Sequence, residues 1–267
     1  MTTLITLATA PAGPAPGFES PGVADFDLPP IAGIEGLTKP VLQLVLSFLI
    51  IYGLFRLAVR NPQLVPGKGQ FLGEAFHGLV RNTIARDMIG PEFLKYVPFL
   101  TTLFAFVLVN NLFGIIPLIQ FPTFSHPGVP YALALMVWLI FTFVGIRHHG
   151  LGGYLRISTW PPDVPWWVRI ILTPIEFISN IILRPITLSL RLFGNMFAGH
   201  LLLLVFILGG EYMLFTADAI ALKVLSPAAF LMGIVFTFFE AFVQVVQAYI
   251  FVMLTASYIG TSLADEH

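Results

Sequence analysis

Five stretches of this sequence are each apolar enough to cross a lipid bilayer, and that leaves few folds open. They run over about 40–59, 97–119, 131–147, 171–209 and 227–261. A hydrocarbon core of roughly 30 Å takes about 20 apolar residues of helix. Composition agrees: 57% of the 267 residues are hydrophobic and only 10% are charged, more apolar surface than a water-soluble core can hide. The predicted fold is an all-α polytopic membrane protein. It has about five crossing helices, the last two long, tilted and paired as an antiparallel hairpin, plus one interfacial helix, in a single membrane domain over 39–267.

Charge placement orients it. Arg60, Lys68, Arg81, Arg86 and Lys95 fall between the first and second spans, and Arg147, Arg156 and Arg169 between the third and fourth. Basic loops stay cytoplasmic. The loops at 120–130 and 210–226 carry Lys223 alone and face outward, so the N-terminus lies outside and the C-terminal "LADEH" inside. Residues 1–38 hold no Lys or Arg and are rich in Pro and Gly, which reads as an extended extracytoplasmic lead. Its "LITLATA" run follows no basic segment, unlike a cleaved signal peptide. Over 70–86, Phe71, Ala75, Leu79 and Ile84 fall near one side of a helix, with Glu74, His77, Arg81 and Asn82 largely on the other. This pattern predicts an amphipathic helix on the cytoplasmic leaflet.

The last two tracts exceed a simple span. At 1.5 Å per residue they would run to about 58 and 52 Å, so they tilt, bend or lie partly along the membrane. Pro174 and Pro185 can bend the first, and Ser226 and Pro227 read as the N-cap and first residue of the second. Polar residues inside such tracts are expensive and mark function. Thr187, Arg191 and Asn195 follow at four-residue spacing on one face, while His200 points about 180° away. Glu240, Gln244 and Gln247 lie within about 40° of one another, extended by Thr237 and Tyr258. In an antiparallel hairpin, Arg191 with Gln247, Asn195 with Gln244, and His200 with Glu240 match in depth to about 3 Å. Gly194, Ala198 and Gly199 lie close to the arginine face and allow a close approach, by a partner or by another part of the chain.

Arginine keeps its proton, its pKa exceeding about 12, so Arg191 cannot relay one. It can attract a carboxylate, repel a passing cation and gate two wet regions. His200 and Glu240 can change charge near neutral pH and suit steps on a proton path. Two other classes are open on residues alone. A secondary transporter would bring internal repeats and paired interrupted helices; no repeat is visible. An intramembrane enzyme would need a catalytic constellation, and neither H-E-x-x-H nor G-x-S-x-G occurs. "RHHG" at 147–150 has no carboxylate placed beside it in sequence, and "GKGQFLG" at 67–73 has the wrong spacing for dinucleotide binding. With no cysteine, the chain has neither disulfides nor thiolate metal sites.

"PITLSLRLFGNMFAGH" at 185–200 followed by "FEAFVQVVQAYIFVMLTASYI" at 239–259 closely resembles subunit a, the stator channel subunit of rotary F-type ATP synthases. "NNLFGIIP" at 110–117 is similar to that family's second-span motif. The resemblance covers the chain after about residue 35. It implies a proton-translocating subunit with no active site of its own in a proton-transporting ATP synthase, in an energy-transducing membrane, most simply a bacterial plasma membrane. It implies that Arg191 faces a rotating ring of c subunits, whose carboxylates lose a proton near it, pass it as anions and are reprotonated from the opposite half-channel. Implied partners are that ring, b-type peripheral stalk subunits, the rest of the complex and membrane lipid. No cofactor, metal or nucleic acid is implied. Many family members carry Glu at the position of His200 and His at that of Glu240, so the pair is exchanged here. His200, Glu240 and Gln244 are assigned to the outer half-channel, with Asn195 and Gln247 nearer the arginine. Asn111 and, on the cytoplasmic side, Glu176 are further candidates. The family's upstream carboxylate stands eight residues before the proline, whereas Glu176 is nine before Pro185; a helix bulge would absorb the difference.

Overall fold

A computed structural model describes residues 18, 20–22, 38–59, 63–116, 121–160 and 165–264. Most of the N-terminal lead falls outside the described residues. The described elements are helical: α1 (Lys39–Val59), α2 (Lys68–Gly78), α3 (Arg86–Ile89), α4 (Val97–Leu112), α5 (Gly128–Thr159), α6 (Trp166–Phe177), α7 (Arg184–Glu211) and α8 (Ile220–Leu263). π-helical segments join α2 to α3 (Leu79–Ala85) and α6 to α7 (Ile178–Leu183), and a third follows α7 (Tyr212–Thr216). Among the described residues, four helical stretches are long and apolar enough to cross a bilayer: Lys39–Val59, Gly128–Thr159, Trp167–Thr216 and Ile220–Leu263.

The remaining predicted span, 97–119, is shorter than expected. α4 stops at Leu112, about 24 Å of helix. The chain then tightens into turns, Gly114 N–H bonding to Asn111 O (3.2 Å) and Ile115 N–H to Leu112 O (3.0 Å). Non-helical backbone at such depth survives when protein covers it. Here Phe113, Phe121 and Phe124 are buried. Gln43 of α1 also clamps the returning loop, its Nε2 donating to Phe121 O (2.8 Å) while its Oε1 accepts from Thr123 Oγ1 (3.2 Å).

α7 and α8 pack along their length, with α4 and α5 against α8 and α5 against α7. Their shared core includes Leu100, Phe104, Val107, Val137, Phe141, Leu192, Met196, Phe251 and Ile259. Exposed Phe48, Leu57, Leu231 and Phe238 lie outside it, as expected of a chain solvated by hydrocarbon.

One residue of the amphipathic region and one helix start differ from expectation. Phe71, Ala75 and Leu79 share an exposed apolar side, while Ile84 is buried with Val80, Ala85 and Ile89, and Phe76 packs against the core. The π-helical segment at Leu79–Ala85 widens the turn and so takes Ile84 off the side that a strict 3.6-residue wheel gives it. The last helix begins at Ile220 with Ala219 as its N-cap, and Pro227 lies inside it. Helix-forming residues upstream carry the helix past the proline, and Ser226 Oγ donates instead to Gly210 O of α7 (2.9 Å).

The C-terminal turn of α8 packs on α3 through Gly260, where an added Cβ would run into the Met88 carbonyl. Gly260→Ala is therefore expected to destabilise the chain by about 1–3 kcal/mol, the usual cost of overpacking. Gly53→Ala, where a Cβ meets nothing within 4 Å, is the control and leaves the thermal midpoint of the purified protein unchanged or slightly raised.

Candidate functional site

Arg191 is exposed, and no hydrogen bond or ion pair joins it to any described residue. Its neighbours along the face do not compensate it. Thr187 Oγ1 turns back to Leu183 O (2.8 Å), and beside Gly194 there is open space, with nothing within 4 Å of an added Cβ. The other arginine of this helix, Arg184, lies over the Tyr258 ring of α8 at 4.9 Å. Both helices of the hairpin carry exposed apolar side chains, among them Ile186, Leu190, Phe238 and Phe242. A permanent cation thus stands on an apolar surface with no acid among the described residues to hold it.

Behind this surface, polar side chains are buried together. Glu240 is 4% exposed, Gln244 and Gln247 3%, and Asn111 0%. Gln244 Nε2 donates to Glu240 Oε1 (2.9 Å), and Asn111 Nδ2 donates to Gln244 O (2.9 Å), tying α4 to α8. Asn195 Nδ2 donates to Gln247 Oε1 (2.7 Å), tying α7 to α8. Two glycines make room: a Cβ at Gly199 would sit 3.1 Å from Glu240 Oε1, and one at Gly114 3.3 Å from Gln244 Nε2. Glu240 Oε2, Gln244 Oε1, Gln247 Nε2 and Asn111 Oδ1 are buried and find no partner among the described residues. Buried polar atoms with unused valence are the natural ligands of internal water, which typically makes about three such bonds.

A second polar patch lies upstream of Arg191 in the chain. Glu176 Oε2 accepts from Asn180 Nδ2 (2.8 Å), which also donates to Ser158 O of α5 (2.6 Å). Thr173, one turn earlier, has a buried hydroxyl oxygen with no protein partner. The bulge that the nine-residue spacing calls for is present: the π-helical segment Ile178–Leu183 separates Glu176 from Pro185.

The predicted pairing of Asn195 with Gln244 is corrected to Asn195 with Gln247, close to one turn further along α8. The cause is geometric. Helical side chains lean toward their own N-terminus. In an antiparallel pair they lean past each other, so residues that touch are offset from those at equal backbone depth. Arg191 takes no partner on α8, and no hydrogen bond or ion pair joins His200 to Glu240; Gly199, beside His200, backs onto that carboxylate. Asn110, beside Asn111, is a second buried amide of α4 that was not singled out from sequence. It is fully buried, its Nδ2 bonds to Phe106 O (2.8 Å), and its Oδ1 has no protein partner. The only available signal was a second amide beside Asn111 in an apolar helix.

The family model for the ATP synthase A chain matches residues 41–260. The chain belongs to the ATP synthase A chain family. It is 48% identical over 263 residues to ATP synthase subunit a of a Nocardioides strain, covering 94% of this chain and 95% of that protein. It is 46% identical over 269 residues to ATP synthase subunit a of Pseudarthrobacter chlorophenolicus, covering 99% and 100%. It is 39% identical over 259 residues to that of Streptomyces lividans, covering 94% and 90%. The matched span contains Arg191 and both polar patches, so as an A chain this protein carries its polar groups inside the family's shared region.

In this A chain, Asn195→Leu leaves buried Gln247 with no partner at either end of its amide, expected to cost about 1–3 kcal/mol. The double variant with Gln247→Leu recovers part of that loss. A thermal-denaturation double-mutant cycle on the purified complex should give a coupling of about 1 kcal/mol, and strict additivity would contradict the contact.

Proposed function

We propose that this chain is the proton-translocating stator subunit of an ATP synthase membrane sector, with Arg191 as the electrostatic gate between two offset half-channels. The observation that carries the reading is the exposed guanidinium, unpaired among the described residues and lying along the chain between two partly unsatisfied polar patches. His200, Glu240, Gln244, Gln247, Asn195 and Asn111 line the outer half-channel, and Glu176 the cytoplasmic one. The partner at Arg191 is an acidic side chain on a ring of c subunits. A b-type stalk holds the stator in place, the N-terminus faces outward and the C-terminus lies in the cytoplasm.

The chemistry follows from what each group can do with a proton. A ring carboxylate approaching Arg191 is drawn to its anionic form and releases its proton to the waters of one patch. It passes the guanidinium as an anion and takes a proton from the other patch. The guanidinium, which does not deprotonate, cannot hand protons directly between the patches. Moving one charge across 100 mV is worth about 2.3 kcal/mol, so several protons contribute to each ATP.

Arg191→Ala is expected to abolish ATP-driven proton pumping in inverted vesicles and to raise passive leak; pumping at the unmodified rate would refute the gate. His200→Ala and Glu240→Ala each slow proton flux with the complex still assembled. The exchange His200→Glu with Glu240→His restores part of it. Flux with an unaltered pH dependence in both single variants would remove these residues from the path.

A further inference from the structure

α6 reverses the amphipathic pattern of a helix in water. Its exposed side is apolar, with Ile170, Ile171, Ile175 and Phe177 between 43% and 66% exposed. Its half-buried side holds Val168 and Leu172 but also Arg169, Thr173 and Glu176, which fall within about 60° of one another. Asn180 continues that stripe into the π-helical segment. Polar groups turned away from lipid face protein or water.

What this stripe meets is the end of α5. That helix breaks at Gly150 (φ 72°) and doubles back, with Gly145 against the Tyr154 ring. Asn180 Nδ2 donates to Ser158 O (2.6 Å) at one end of the contact, and the Arg169 guanidinium lies 5.0 Å from the centre of the Trp160 ring at the other. Thr173, between them, is unsatisfied: its hydroxyl oxygen is buried and has no partner among the described residues. This sets it apart. Thr102, Thr187, Thr237, Thr255 and Thr261 each donate back to the carbonyl four residues earlier. In the same turn Pro174 has no N–H to give Ile170 O, so that carbonyl lacks its regular donor.

We propose that the cytoplasmic half-channel leaves Glu176 along the inner side of α6, through water held by Thr173 and Ile170 O, to a mouth framed by Arg169 and Trp160. The route rests on the channel reading and gives it a direction. By helical rise, Thr173 is about 4.5 Å from Glu176 and about 6 Å from Arg169, steps that water can bridge. Thr173 gains and loses no proton; its hydroxyl orients the water that carries one. Arg169 keeps its charge, so the proton passes beside it on water. A plain packing contact between α5 and α6 would instead close the Thr173 hydroxyl onto a carbonyl, as the other five threonines do.

The chain has no cysteine, so single cysteines report access. The test uses inverted vesicles carrying the whole complex, with a small methanethiosulfonate added on the cytoplasmic face. The reagent attacks thiolate, which forms in water and is suppressed in apolar surroundings. Thr173→Cys should take up the reagent, read as mass added to this subunit, about tenfold faster than Ile171→Cys on the lipid side, the effect of one pKa unit on thiolate content. ATP-driven proton pumping should fall as it reacts, and adding Trp160→Ala should speed the reaction by widening the mouth. Equal rates for Thr173→Cys and Ile171→Cys, pumping that survives modification, or no effect of Trp160→Ala overturns the proposal. Glu176→Cys separates it from the reading beneath it. Reaction there but not at Thr173→Cys keeps a cytoplasmic half-channel and removes this route, while reaction at neither removes both.

Discussion

The antiparallel contact of α7 with α8 fixes where every polar group of this chain can sit. It is a close contact because small residues line it: Gly199 lies against Glu240, Gly210 against Phe230 and Gly233 against Phe206 and Ile207. Within it, Asn195 to Gln247 is a hydrogen bond between side chains at apolar depth, where the alternative is an unsatisfied amide. That contact turns Glu240, Gln244 and Gln247 inward while Arg191 remains outside. A rotation of either helix by one residue, about 100°, would put the carboxylate in lipid or the arginine in the core.

Burial of this kind is unstable unless the polar atoms are served. Glu240 has one described hydrogen bond, from an amide of its own helix, and a second oxygen with none. An ionised carboxylate in that state would cost several kcal/mol, and a protonated one still needs a partner for its oxygen. The unsatisfied atoms of Asn110, Asn111, Gln244 and Gln247 have the same requirement. Water between the helices would serve them, as the proposed half-channel requires.

Much of the architecture was legible in the sequence, because hydrocarbon thickness sets helix length and apolar runs report it directly. The α7–α8 hairpin and its polar stripe followed from residue numbers alone, since both helices are long and regular around Arg191 and Glu240. What escaped was whatever depends on a departure from 3.6 residues per turn or on a contact across helices. Ile84 was grouped with exposed Phe71 and Leu79 because a π-helical segment is invisible to a helical wheel. Ser226 was read as a cap because its real acceptor, Gly210 O, lies on another helix. Asn195 was paired by backbone depth, and the lean of the side chains moved its partner to Gln247. The π-helical segment after Glu176 is the opposite case, since a one-residue excess in spacing announced it before any coordinates did.

An arginine suits the exposed position for reasons a lysine would not. Its charge survives desolvation, and its planar fork can hold a carboxylate at two points. A lysine in an apolar surface readily loses its proton and would become a relay, joining the two half-channels that the proposed reading keeps apart. Arg184 is tied to Tyr258, so the two arginines of α7 differ in kind: one is anchored by its own chain and the other is left for a partner. On the proposed reading, that unmatched charge is the coupling device. With no acid among the described residues to satisfy it, Arg191 stabilises each passing carboxylate only while that carboxylate is anionic. Protons then cross only as the partner moves.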